Sequence, residues 1–200
     1  MANVKHRYGD KEYREVVFDS RIKHKDFFHM KHLYILMHEW LVEEGWATRH
    51  DVEFPEQLYL QREHQKAGRE LWIWWRMRKV PSKNTYYRYD LDIDIHVILL
   101  KDVEVMHNNL KYKANWGEPE IKLFAKIVSD YQDKWKNHWL LKHFQTLFWK
   151  KIFFKDFEMH RKELYRDIYR FMEALKSYLK LKTYLPEPES QQFYMDEDFG

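Results

Sequence analysis

From Asp26 onward the apolar positions follow two periods, and the points where one replaces the other mark the elements. Phe27, Met30, Leu33, Tyr34, Met37, Trp40 and Leu41 recur at spacings of three and four, the signature of one buried helix face. Asp26 stands where an N-cap belongs and Gly45 where a helix ends, so the pattern predicts a helix over about 26–44. The preceding residues, 1–25, keep no sustained period and read as an N-terminal arm, with room for a short strand at Arg14–Phe18.

Beyond Phe54-Pro55 the period drops to two. Leu58 and Leu60 alternate with Tyr59 and Gln61, and Lys66-Ala67-Gly68-Arg69 reads as a turn. In the next strand Leu71, Ile73, Trp75 and Met77 share one side, before a turn at Pro81-Ser82-Lys83-Asn84. Tyr87, Tyr89, Leu91, Ile93, Ile95, Val97 and Leu99 then face one way, while Tyr86, Arg88, Asp90, Asp92, Asp94 and His96 face the other. Such alternation predicts a long antiparallel strand with one dry and one wet face. Further strands are expected at about 103–106, 110–115 and 120–128, with Gly117-Glu118-Pro119 turning the chain between the last two.

Two helices are predicted to close the chain, over about 136–154 and 156–181. Asp156 could cap the second, whose stripe is Leu164, Ile168, Phe171, Met172, Leu175 and Leu179. Pro186 and Pro188 end the regular pattern. The order predicts an α+β fold: an N-terminal helix, a four- to five-stranded antiparallel meander, and two C-terminal helices on the dry sheet face. The expected organisation is an arm (1–25), one domain (26–185) and a tail (186–200).

Composition narrows the functional classes. The absence of Cys excludes disulfides, thiolate catalysis and cysteine-based metal sites. A mean hydropathy of −0.81, and no apolar run near the ~18–20 residues of a spanning helix, argue against a membrane-spanning helix. The stretch Met1 to Asp19 is polar, with no apolar core of a secretory leader, and the chain is expected to be cytoplasmic. Serines are few and none lies in a glycine-flanked elbow; there is no GxGxxG or P-loop, so no cofactor is expected.

Charge adds the feature that points furthest toward function. Residues 134–155 hold no Asp or Glu, but six lysines, two histidines and seven aromatic rings. Aromatics spread over more than half the wheel suit a buried central helix. Lys150, Lys151 and Lys155 suit a helix C-terminus; Lys134, Lys136 and Lys142 have no such reason. Residues 186–200 carry five acids and no base, so the body has 27 acids against 35 bases, a net +8. Phe193, Tyr194 and Phe199 give this acidic tail anchors of its own.

The leading expectation is a non-enzymatic interaction or assembly protein that binds a protein partner or itself as a homo-oligomer. Lys134, Lys136, Lys142, Trp149, Lys150, Lys151, Lys155, Phe193, Tyr194 and Phe199 would make the contact. An alternative is a nucleic-acid or ribonucleoprotein-associated module, because Trp72, Trp74, Arg76, Arg78, Tyr86 and Arg88 share one face by parity. Asp90, Asp92 and Asp94 on the same face would repel phosphate. A metal-dependent enzyme is the weakest alternative. Alternate strand residues lie ~6.5–7 Å apart, so one ion reaches at most two of the three aspartates. Ion pairs with Arg76 and Arg78 on one side, and Lys111 and Lys113 on the other, explain the row better. On the first helix His29, His32 and Glu39 could hold an ion, although twelve histidines make such pairs common.

Overall fold

A computed structural model describes residues 14–50, 53–65, 68–82, 86–107, 110–135, 137–139 and 154–184. The chain is α+β, with one antiparallel sheet. Its strands are β1 (Arg14–Lys23), β2 (Asp26–Phe28), β3 (Glu56–His64), β4 (Gly68–Lys79), β5 (Tyr87–His107) and β6 (Leu110–Ser129). Its described helices are α1 (Met30–Glu43) and α2 (Phe154–Tyr184). The sheet order is β1-β6-β5-β4-β3, with β2 also pairing to β6.

β4 and β5 follow the predicted alternation. Leu71, Ile73, Trp75 and Met77 are buried, as are Tyr87, Tyr89, Leu91, Ile93, Ile95 and Val97. α1 and α2 lie on this dry face. α1 contributes Leu33, Met37 and Leu41, and the whole predicted α2 stripe from Leu164 to Leu179 is buried in the same core. The helices meet through Trp40 and Phe171, whose rings lie 4.6 Å apart, and through an Arg170–Glu44 ion pair. Tyr178 donates its hydroxyl proton to the His29 carbonyl at 3.1 Å, tying the end of α2 to the start of α1.

Four departures have local causes. Residues 14–23, read as part of the arm, form β1, where a bulge between Val16 and Phe18 breaks the period. Beyond it Phe18, Ser20 and Ile22 align with Ala125, Leu123 and Ile121 on the core side, and the polar Ser20 hides the alternation.

The predicted helix start is four residues early. Asp26, Phe27 and Phe28 pair with Gly117, Trp116 and Asn115, and the Asp26 carboxylate accepts the Phe27 N–H rather than capping a helix. α1 begins at Met30, whose N–H donates to the Asn115 side-chain oxygen at 2.9 Å. The cap comes from β6, across 85 positions of sequence. The helix ends where Gly45 predicts: Gly45 has φ +70°, its N–H bonds the Val42 carbonyl, and the Trp46 N–H reaches back to Leu41. This is a Schellman closure.

The three strands expected after Leu99 are the end of β5 and one continuous β6. Leu99, expected on the dry face, sits at φ +57° in a bulge between Ile98 and Lys101, and Leu100 takes the buried position. Gly117-Glu118-Pro119 is strand, not turn. The Pro119 carbonyl accepts from His24 N–H at 3.1 Å, so the backbone of Pro119 faces β1. There pairing passes from Lys23–Glu120 to Asp26–Gly117, and a missing N–H costs no ladder bond.

Around the expected 136–154 helix, residues 134, 135 and 137–139 lie in turns and bends. The Asp130 carboxylate accepts the Trp135 N–H there, at 3.1–3.2 Å. Residues 136 and 140–153 lie outside the described residues. α2 begins two residues before its expected start, with Asp156 inside its first turn. Among the described residues no helix is long and apolar enough to cross a membrane.

Candidate interaction surface

The sheet face away from the helices holds the aspartate row. Register places Asp90, Asp92 and Asp94 between Arg78, Arg76 and Trp74 of β4 and Lys126, Phe124 and Lys122 of β6. Arg88 grips Asp90 with two bonds, 2.7 and 3.0 Å. Arg76 reaches Asp94 at 2.7 Å and Asp92 at 3.8 Å, and Lys126 reaches Asp92 at 3.3 Å. The face is drier than its alternation suggests: Asp90, Asp92 and Lys126 are only 7–8% exposed. Arg76 lies over the Trp74 ring and Lys126 over the Phe124 ring, so long side chains lying flat on aromatics cover the carboxylates. Lys111 and Lys113, expected beside the row, align instead with Met106 and Glu104, because the continuous β6 carries them far along the hairpin.

This pairing bears on a nucleic-acid surface. Trp72 stacks on His96, with ring centres 4.9 Å apart, and Arg62 lies over the Trp72 ring. Trp72, Trp74 and Arg76 are brought together, and Arg78 stands opposite Asp90. Tyr86 precedes β5 and meets Trp135, 5.5 Å away. The forks of Arg76 and Arg88 that phosphate would need are engaged by aspartates, and a phosphate would have to displace the largely buried Arg88–Asp90 pair and the more exposed Arg76–Asp94 pair. The His29 and His32 rings stack at 3.9 Å. Among the described residues no three His, Asp or Glu side chains are grouped to hold a metal ion.

The flanks of the acid-free segment are described; its middle is not. Lys134 and Lys155 are exposed. Lys136, Lys142, Trp149, Lys150 and Lys151, with Phe193, Tyr194 and Phe199 of the tail, lie outside the described residues. Large apolar side chains stand in solvent on both flanks: Trp139 is 74% exposed, Phe154 56% and Met159 57%. Helical period explains the second flank, because Phe157, His160 and Leu164 turn inward while Phe154, Lys155, Glu158, Met159 and Lys162 turn outward. Those five outward residues line an open depression of about 540 Å³. Glu158 is bonded to Arg161 at 3.0 Å, which leaves a floor of Phe154 and Met159 beside two lysines.

A half-buried polar cluster under α2 escaped the sequence reading. Asp156, His160, Glu163 and Asp167 recur at spacings of four, three and four, a helical signal masked by the apolar stripe beside it. The Tyr89 hydroxyl donates to Glu163 at 3.1 Å and lies 2.6 Å from His160 Nδ1. One hydroxyl has one proton, so His160 must donate to the Tyr89 oxygen and carries its hydrogen on Nδ1. Burial, reinforced by the Glu163 charge, raises the pKa of Tyr89 far above the ordinary tyrosine value, so the phenol stays protonated. The arrangement ties β5 to α2 through the Tyr89 hydroxyl.

Burial also holds the Asp167 carboxyl above the ordinary 3.8, with Glu44 and Glu163 adding to the shift and Lys79 and Arg170 opposing it. A raised folded-state value means that protonated Asp167 favours folding. That contribution is complete below 3.8 and is lost as pH rises through the folded value. Asp167→Asn should therefore raise Tm at neutral pH and match the unmodified chain at about pH 3. Thermal melts across pH check this.

A scan against protein-family models finds no match to this chain, and a search of curated proteins finds none either.

Proposed function

We propose that the chain is a non-enzymatic interaction and assembly protein of the cytoplasm. In this reading the depression at the start of α2 takes the acidic, aromatic residues 186–200 of a second copy. The observation that carries it is the pair Phe154 and Met159, held more than half exposed between Lys155 and Lys162. Large apolar side chains cost free energy in water and lose that cost when covered, and the flanking lysines select an acidic cover. Residues 186–200 offer five acids with Phe193, Tyr194 and Phe199.

Chain reach favours a neighbour over the chain's own body. α2 has 31 residues, so its ends stand ~45 Å apart. Phe193 and Tyr194 lie nine and ten residues past Tyr184, and a fully stretched chain covers only ~30–36 Å over that length. Both rings therefore fall short of Phe154 in the same molecule, and only Phe199, fifteen residues past Tyr184, could span the ~45 Å, with the chain almost fully stretched. A second copy imposes no such limit.

Deleting residues 186–200 should lower the oligomeric mass by light scattering, and Phe154→Ser in the full chain should do the same. Added salt should weaken the assembly partly, leaving the contribution of the aromatic anchors. A truncated chain of unchanged mass overturns the reading. A full-length monomer whose truncation strengthens retention on heparin would place the tail on its own body, and overturns the second-copy geometry.

A further inference from the structure

We propose that the cleft between α1 and the start of β3 binds small organic cations of the alkylammonium class. This site is separate from the assembly surface and does not depend on it. The cleft encloses about 370 Å³ and is lined by Tyr34, Ile35, His38, Glu39, Phe54 and Glu56. That volume is within the ~300–1,000 Å³ typical of small-ligand pockets. Tyr34, Ile35, His38 and Glu39 occupy one side of α1, one turn apart in pairs. Phe54 and Glu56 close the other side.

The walls are braced from behind. Trp75, fully buried, packs edge-on against Tyr34 at 5.1 Å and against Phe54 at 4.9 Å. Its indole N–H donates to Glu56 Oε2 at 2.8 Å, and the Tyr34 hydroxyl donates to the same oxygen at 3.0 Å. Two donors thus fix the carboxylate through one oxygen, and neither bond engages Oε1. His38 packs on Phe54, with ring centres 4.4 Å apart, and its Nδ1 lies 3.7 Å from Glu39.

The chemistry selects the ligand's charge and kind. Among the described residues two carboxylates line the cleft and no lysine or arginine does, in a chain whose net charge is +3. Anions are repelled, and a neutral apolar ligand gains nothing from Glu56 and Glu39. A hard divalent ion would gain nothing from the aromatic walls, because its ligands are oxygens. An alkylammonium matches both features: aromatic faces replace part of its hydration and carboxylates balance its charge. The cation can be a free quaternary ammonium or the primary ammonium of a lysine side chain; both carry one positive charge on alkyl carbon, and only the second donates hydrogen bonds to the carboxylates.

The test is a titration of the full-length chain, following the assigned indole N–H resonance of Trp75, which touches Glu56 but not solvent. The probes are choline chloride, Nα-acetyl-lysine methylamide, the neutral choline isostere 3,3-dimethyl-1-butanol, and sodium chloride at matched ionic strength. A saturable shift with at least one cation, and none with alcohol or salt, is expected. Tighter binding of choline identifies a free quaternary amine as the better ligand, and tighter binding of the lysine derivative identifies a side chain. Glu39→Gln, on an exposed position of α1, should weaken binding by about two- to five-fold, and Phe54→Leu by at least as much. Absence of a saturable shift, an equal shift with the alcohol, or unchanged affinity in either variant overturns the proposal.

Discussion

Ile93→Asp should leave the chain unfolded at 25 °C, with near-ultraviolet circular dichroism lost and no cooperative melt. Ile93 is fully buried and stands in register between Trp75 of β4 and Leu123 of β6, on the side that α1 and α2 cover. Removing its apolar side chain costs about 2–3 kcal/mol of burial. The new carboxylate must then ionise inside an apolar layer or take up a proton, at several kcal/mol more. Domains are stable by only about 5–15 kcal/mol, so little or nothing remains. Ile93→Val, which deletes one methylene, should cost about 1 kcal/mol and keep the melt cooperative. A folded Ile93→Asp chain would mean that the central strand does not face the helices.

Asp92→Ala should cost about 3–5 kcal/mol in urea denaturation, far above the effect of removing an exposed carboxylate. The alternation of β5 alone places Asp92 in water, where its loss would be nearly neutral. Tertiary structure changes the expectation: Asp92 is 8% exposed, and its loss removes the 3.3 Å partner of Lys126, itself 7% exposed. The stranded ammonium accounts for most of the cost. Asp94→Ala, one pleat away with a side chain 39% exposed, should cost about 1 kcal/mol or less. Pairing Asp92→Leu with Lys126→Met should recover much of the loss, because no charge is then left buried alone. Equal effects of Asp92→Ala and Asp94→Ala would show that burial of the ion pairs is not what stabilises this face.

The unequal legibility of these residues has a physical origin. Elements whose signal repeats within a few residues were readable from sequence: the core face of β4, β5 as far as Val97, the stripe of α2, and the Gly45 end of α1. Each depends on a period or on a backbone angle that its own residues impose. The start of α1 was not readable, because its first N–H is capped by Asn115 rather than by a neighbour in sequence. Nor was the continuity of β6 through Pro119, since a proline in a strand is harmless only where pairing to β1 and β2 is already interrupted.

The candidate sites divide in the same way. The composition of the acid-free segment and of the tail can be read without any structure, and so can the charge opposition between them. Their exposed flank cannot: which side of a helix meets solvent depends on what covers the other side, and Phe154 and Met159 point away from the sheet only because Phe157, His160 and Leu164 reach it. The cleft of Tyr34, Phe54 and Glu56 gives no sequence signal, for its two sides come from different elements and are joined through Trp75. Sequence alone determined the periods, the turn at Gly45 and the charge asymmetry, because these are properties of neighbouring residues. Tertiary structure decided which polar residues are dry and which apolar ones are wet, because burial is set by the register and packing of strands and helices distant in the chain.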